Sequence, residues 1–267
     1  MSFRLEPAKI RGVLTSVLLL CLSQSPVGQW VWSRKDLAPL EAVRARGPVE
    51  AAVQLAELRL RGGAVDAQLR LPPGVVAGAT AFVIRFDDSL HAAWAADLTP
   101  ALDSALARVL ALAVRAGVEP RVVQLDYDCP TRRLADWARA VARLQEPGGA
   151  LAGREVWVTT VPSTFLAPGF AALFRGHVAG HVAQVFDTGT PWTPEREAAW
   201  ARALDDAKVP YAIGLGGFER AGQPGAPNAS WVRAVPALKT SAFFRGTWIF
   251  CGGQDWTGLA RAIEEDT

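Results

Sequence analysis

Histidine, tyrosine and methionine are scarce in this chain of 267 residues, which has three His, two Tyr and one Met beside three Cys. His91, His177 and His181 are scattered and form no cluster with cysteine, so the spacing of a zinc site is missing and neither a metal nor another cofactor is expected. Three distant cysteines do not make a disulfide framework; Cys129 and Cys251 read as two unpaired buried thiols, with a single bridge as the alternative. Basic runs are absent as well. A net charge of +2 with 20% charged residues describes an ordinary protein surface and argues against a nucleic-acid partner. No glycine-rich phosphate loop follows a strand at the required spacing, since Gly214-Leu215-Gly216-Gly217 comes late and leads into a loop-like segment. No nucleophile elbow anchors a Ser/His/Asp triad.

Long apolar runs are also lacking. The N-terminal candidate, from Gly12 to Leu22, is too short for a comfortable membrane span and follows a segment carrying Arg4, Lys9 and Arg11. That pairing is the n-region and h-region of an export signal, so residues 1–28 are expected to be a signal peptide or an N-terminal membrane anchor, with a cut after Gly28. Leu18-Leu19-Leu20-Cys21 hints at a lipoprotein box, but Leu20 is too large for the position before the cysteine. Residues 29–267 are expected to form one exported domain, periplasmic or extracellular.

What is present is a recurring pattern of apolar runs rich in Val, Ile, Phe and Trp, spaced by helical stripes. Strands are expected near Trp30–Trp32, Val53–Leu58, Ala81–Phe86, Val122–Tyr127, Val156–Thr160, Val182–Phe186, Tyr211–Leu215 and Thr247–Cys251. Helices are expected over Ala101–Ala116, Thr131–Leu144, Phe165–Phe174, Pro194–Ala207 and Thr257–Glu265. Eight strands alternating with helices, too apolar to face water, predict an α/β fold of the parallel (β/α)8 TIM-like type, with an open doubly wound sheet as the alternative. The first half is less regular, because Leu60–Gly78 reads as a hairpin or loop where a helix belongs. Gly214–Ser230, rich in Gly and Pro, reads as a long loop.

The most informative stretch is Gln124-Leu125-Asp126-Tyr127-Asp128-Cys129-Pro130, an apolar strand that turns acidic at its end. Side chains alternate along a strand, so Gln124, Asp126 and Asp128 share one face. Same-face neighbours lie about 6.6 Å apart at Cα, which fits either carboxylate spacing used by glycosidases. Two acids ending an apolar strand are costly to desolvate and need partners or a function. Arg85 on the neighbouring strand is placed to pair with Asp126, although a pair of that kind can also be purely structural. Further polar groups near strand ends are Glu57, Gln184, Asp187 and Tyr211. Ten tryptophans against two tyrosines offer flat apolar faces on which sugars stack, with Trp32 and Trp192 the candidate platforms, although any single Trp usually serves packing.

On these residues the chain resembles a bacterial family of uncharacterised exported proteins whose domain is similar to glycoside-hydrolase TIM barrels. Gln124-Leu125-Asp126-Tyr127-Asp128 with Thr131-Arg132-Arg133 carries the resemblance, together with Phe82-Val83-Ile84-Arg85, Trp30-Val31-Trp32-Ser33-Arg34 and Val182-Ala183-Gln184-Val185-Phe186. It spans roughly residues 29 to 253. The family has no assigned activity, but its likeness to glycoside hydrolases implies action on a polysaccharide or glycan; the residues themselves offer Asp126, Asp128 and Asp187 as candidate acids and Arg85, Gln184, Glu57, Trp32, Tyr211 and Trp192 as substrate-binding residues. The fourth strand is also similar to the chitinase pattern D-x-D-x-E, but Pro130 stands at the glutamate position and cannot donate a proton, so that chemistry does not carry over. A barrel that binds carbohydrate without cleaving it is therefore the alternative. Asp187-Thr188-Gly189-Thr190 looks like the aspartic-protease tetrapeptide, yet only one copy exists and the following Pro194–Ala207 is helical; a turn between strand and helix explains it better.

Overall fold

A computed structural model of the protein describes residues 26–79, 81–95, 97–186, 193–218 and 226–265. Nine strands run in chain order: β1 (Val27–Val31), β2 (Glu50–Arg61), β3 (Ala64–Leu69), β4 (Ala81–Phe86), β5 (Val122–Asp126), β6 (Glu155–Thr160), β7 (Gly180–Gln184), β8 (Tyr211–Gly216) and β9 (Phe244–Phe250). Between them lie the helices α1 (Leu37–Arg44), α2 (Thr99–Arg115), α3 (Leu134–Leu144), α4 (Pro162–Phe165), α5 (Phe170–Phe174), α6 (Pro194–Ala207), α7 (Ala226–Leu238) and α8 (Thr257–Glu265).

All strands except β3 are parallel to their neighbours, in the order β1-β9-β8-β7-β6-β5-β4-β2. Pairing of β1 with both β9 and β2 closes the ring. The fold is a closed eight-stranded (β/α)8 barrel. The irregular first half has a concrete cause: β2 doubles back into antiparallel β3 through Gly62 and Gly63, both at positive φ, so a hairpin stands where a helix would. The short parallel strands bury both faces, which is why they read as near-continuous apolar runs.

Alternation sorts the side chains into two layers. Phe82, Ile84 and Phe86 of β4, and Val123 and Leu125 of β5, join the large core under the helices. Ala81 and Val83, with Trp30, Ala52, Val182, Ala212 and Trp248, form the smaller core inside the ring. Three tryptophans help fill that interior, and small residues make room for them. A Cβ on Gly28 would lie 2.6 Å from the Trp248 ring, and one on Gly180 would lie 2.6 Å from Trp157. Trp30 and Trp248 stack with centroids 6.0 Å apart.

Helix boundaries differ from the sequence reading in three places. Thr131 opens a short 3-10 turn rather than capping α3; its hydroxyl donates to the Ser163 carbonyl, and α3 begins at Leu134. The helix expected over Phe165–Phe174 is two short ones, interrupted at Gly169 with φ 87°. The stretch expected as a loop from Gly214 to Ser230 begins inside β8 and ends inside α7, so its ends are regular structure. Thr193 caps α6 as expected, accepting from the Arg196 amide, with Pro194 at the first helical position. Cys129 and Cys251 are both free and buried. Among the described residues no helix is long and apolar enough to cross a membrane, and no three His, Cys, Asp or Glu residues are grouped to hold a metal ion.

Candidate active site at the barrel mouth

In parallel barrels, functional side chains gather where the strands end. Here a cavity of about 510 Å³ opens at that end, lined by Trp30, Trp32, Arg85, Asp126, Asp128, Gln184, Phe186, Phe250 and the segment 161–163. A larger cavity of about 600 Å³ lies at the opposite rim, among Val27, Arg44, Glu50 and Lys239. It sits at the strand starts, away from the acidic tip.

Asp126 is the centre of the mouth. It is the last residue of β5, paired in register with Arg85 of β4. Its Oδ1 accepts from the Thr159 hydroxyl at 2.9 Å and from Gln184 Nε2 at 3.1 Å. Its Oδ2 lies 3.3 Å from Arg85 Nη1. Four strands therefore converge on one buried carboxylate that is 2% exposed. Burial pushes its pKa up to about 6; Arg85 opposes that rise, Asp128 adds to it, and the bonds from Thr159 and Gln184 oppose it.

Asp128 faces outward into the cleft, with its side chain 47% exposed and its Oδ2 3.8 Å from Arg85 Nη2. Arg85 thus bridges the two acids, and its guanidinium also lies over the Trp32 ring at 5.5 Å. Below this layer, Trp30 Nε1 donates to Gln124 Oε1 at 2.6 Å, which satisfies both inward polar groups. Aromatic rings form the opposite wall. Trp32 meets Phe250 edge-on at 5.6 Å, and Phe186 stacks on Phe250 at 5.8 Å.

The structure brings Asp126, Asp128, Arg85, Gln184 and Trp32 together, and leaves two other expected residues out. Glu57 shares a register level with Arg85, but its carboxylate is held by Arg59 and Arg70, which keep its pKa below the usual range despite burial, and it does not line the cleft. Tyr211 begins β8, at the strand end away from the mouth. It is buried beneath the helices against Phe244 and His181 and does not line the cleft. Asp187 and Trp192 lie outside the described residues. Sequence reasoning missed Thr159, Phe186 and Phe250. All three were already within expected strands, and counting alternate positions from Trp157, Val182 and Trp248 would have turned them inward.

Behind the acidic tip, Tyr127 points the other way and ties the strand to its helix. Its hydroxyl accepts from Trp94 Nε1 at 2.7 Å, and its ring meets Trp137 of α3 at 5.1 Å. This packing fixes the backbone between Asp126 and Asp128, so the aim of both carboxylates depends on it.

Neither a protein-family model nor a curated protein sequence matches this chain. Solved structures do match its fold. It is similar to the GH18 chitinase ChiB from the chitin utilization locus of Flavobacterium johnsoniae, with a TM-score of 0.63 and 12% identity over 91% of this chain and 93% of that one. The spore cortex-lytic enzyme SleL of Bacillus megaterium QM B1551 matches with a TM-score of 0.61 and 11% identity, covering 91% of this chain and 74% of the other. A tamarind chitinase-like lectin matches with a TM-score of 0.56 and 10% identity, over 91% and 98%. The neighbours thus include both enzymes and a lectin on one barrel, and at these identities they establish the fold alone.

Proposed function

We propose that the mouth of this barrel is a carbohydrate site, and that the protein is a glycoside-hydrolase-like barrel acting on a polysaccharide or glycan outside the cytoplasm. The observation that carries this reading is the pairing of a half-exposed Asp128 with a buried, multiply bonded Asp126 in a cleft walled by Trp32, Phe186 and Phe250. Sugars offer an apolar C–H face and a rim of hydroxyls, and this cleft offers rings for the first and carboxylate, amide and guanidinium groups for the second. Asp128 is the group that meets the ligand. Asp126 sits behind it and holds Arg85 and Gln184 in place. The export-signal pattern of residues 1–28 supports a location in the periplasm or outside the cell, released or anchored.

Hydrolysis needs an acid to protonate the leaving oxygen and a second carboxylate for water or the anomeric carbon. Asp126 and Asp128 are the two acids lining the described cleft, and Asp187 is the further candidate. A second reading, binding without cleavage, is favoured by Pro130, which ends the strand tip where the chitinase pattern has its glutamate. Both readings share a test. The exported protein and its Asp128→Asn variant are incubated with a panel of bacterial exopolysaccharides, and bound and released sugar are measured. Cleavage by the wild type that falls at least ~100-fold in the variant supports the hydrolase. Binding without released product supports the binding barrel. Turnover unchanged in the variant overturns the site assignment.

A further inference from the structure

The charges in the mouth say which glycans it suits. Arg85 is the single cation lining the described cleft, and its three approaches are already taken. Nη1 faces Asp126 at 3.3 Å, Nη2 faces Asp128 at 3.8 Å, and the guanidinium plane lies over Trp32. Among the described residues lining the cleft, an anionic sugar would meet no uncommitted positive group and would face the open Asp128 carboxylate. Two acids against one base leave the cleft with an excess negative charge. Beside the cleft, Glu57 is engaged by both Arg59 and Arg70, and the bonds from Ser89 hold Asp87 below the usual carboxylate range. Next to this excess charge stand the rings of Trp32, Phe186 and Phe250. Aromatic faces beside a carboxylate are the combination that attracts an ammonium group, through the ring quadrupole and a charge-assisted hydrogen bond.

We propose that this cleft selects glycans carrying free amino groups, such as unacetylated hexosamine units, with the sugar ammonium bound to Asp128 and the sugar ring against the aromatic wall. This inference rests on the reading of the mouth as a carbohydrate site and narrows it to a cationic class. Neutral acetylated units can still stack on the rings, but they leave Asp128 without its ion partner. Uronic acids are disfavoured by the same charge.

The test compares hexamers of glucosamine, N-acetylglucosamine and galacturonic acid by calorimetric titration of the exported protein. A pH of about 6.5 is low enough for the sugar amines to carry protons and high enough for Asp126 to have begun releasing its own. The glucosamine hexamer is expected to bind at least ~10-fold more tightly than its acetylated counterpart, with that advantage shrinking at high salt. In Asp128→Asn the ratio between the two should fall towards one, with circular dichroism confirming the fold. Equal binding of both hexamers by the wild type overturns the amine preference while leaving a carbohydrate site in place. Tightest binding of the galacturonic acid hexamer overturns it through the sign of the charge. Absence of binding by all three sinks the carbohydrate reading itself.

Discussion

Asp126 holds its proton more firmly in the folded chain than it would in water, because burial raises its pKa from 3.8 to about 6. A carboxyl group with a raised folded pKa contributes to stability most fully below its unfolded value, and that contribution is lost as the pH rises through the folded value. The window is therefore about pH 4 to 6, and two units correspond to roughly 3 kcal/mol. Asparagine has nearly the same shape and no titration. Urea midpoints of Asp126→Asn measured from about pH 4 to 7 are expected to lose the part of the pH dependence that the wild type shows in this window. Parallel curves for the two proteins would mean that burial does not dominate at Asp126. Arg85 belongs to the same balance, since only the ionised form of Asp126 needs it.

The element that aims the site is β5 together with α3. Trp137 is 1% exposed and meets Phe86 at 4.8 Å, Tyr127 at 5.1 Å and Trp94 at 5.9 Å. Trp137→Ala should cost about 3–5 kcal/mol in denaturant unfolding and also weaken the proposed glycan binding, because Tyr127 is the residue between the two acids. A loss under about 1 kcal/mol would show that the cluster collapses to refill the gap. Elements of this kind were legible where one pattern ruled a whole segment. β4 was expected over Ala81–Phe86 and is found there, since the face alternating from Phe82 is continuously apolar; α6 and α8 likewise match their stripes. Where local signals conflicted, reading stopped short. α7 contains Pro236, and α1 has only eight residues, so tertiary packing decides both. The hairpin of β2 and β3 was legible as a break in the helix pattern, and the glycine pair at its turn supplies the reason.

At the scale of the whole molecule, the ring was readable because eight apolar strands separated by helices have few ways to bury both faces. The cleft was readable only in part. Asp126 and Arg85 announced themselves as charges in apolar strands. Thr159, Phe186 and Phe250 carry no such mark, and only the alternation along their strands turns them inward. Tyr211 shows the complementary error, since the end of the strand a residue occupies matters more than its chemistry. Cys129 follows the β5 tip and Cys251 follows β9, each unbridged, and burial lifts both thiols to about 12. Thiolate, the reactive form, is thus nearly absent at neutral pH. In a Cys21→Ser protein, a chromogenic sulfhydryl reagent should colour only as fast as the molecule breathes, with denaturant accelerating both positions. A pair of mute sulfurs makes the chain its own stopwatch for opening.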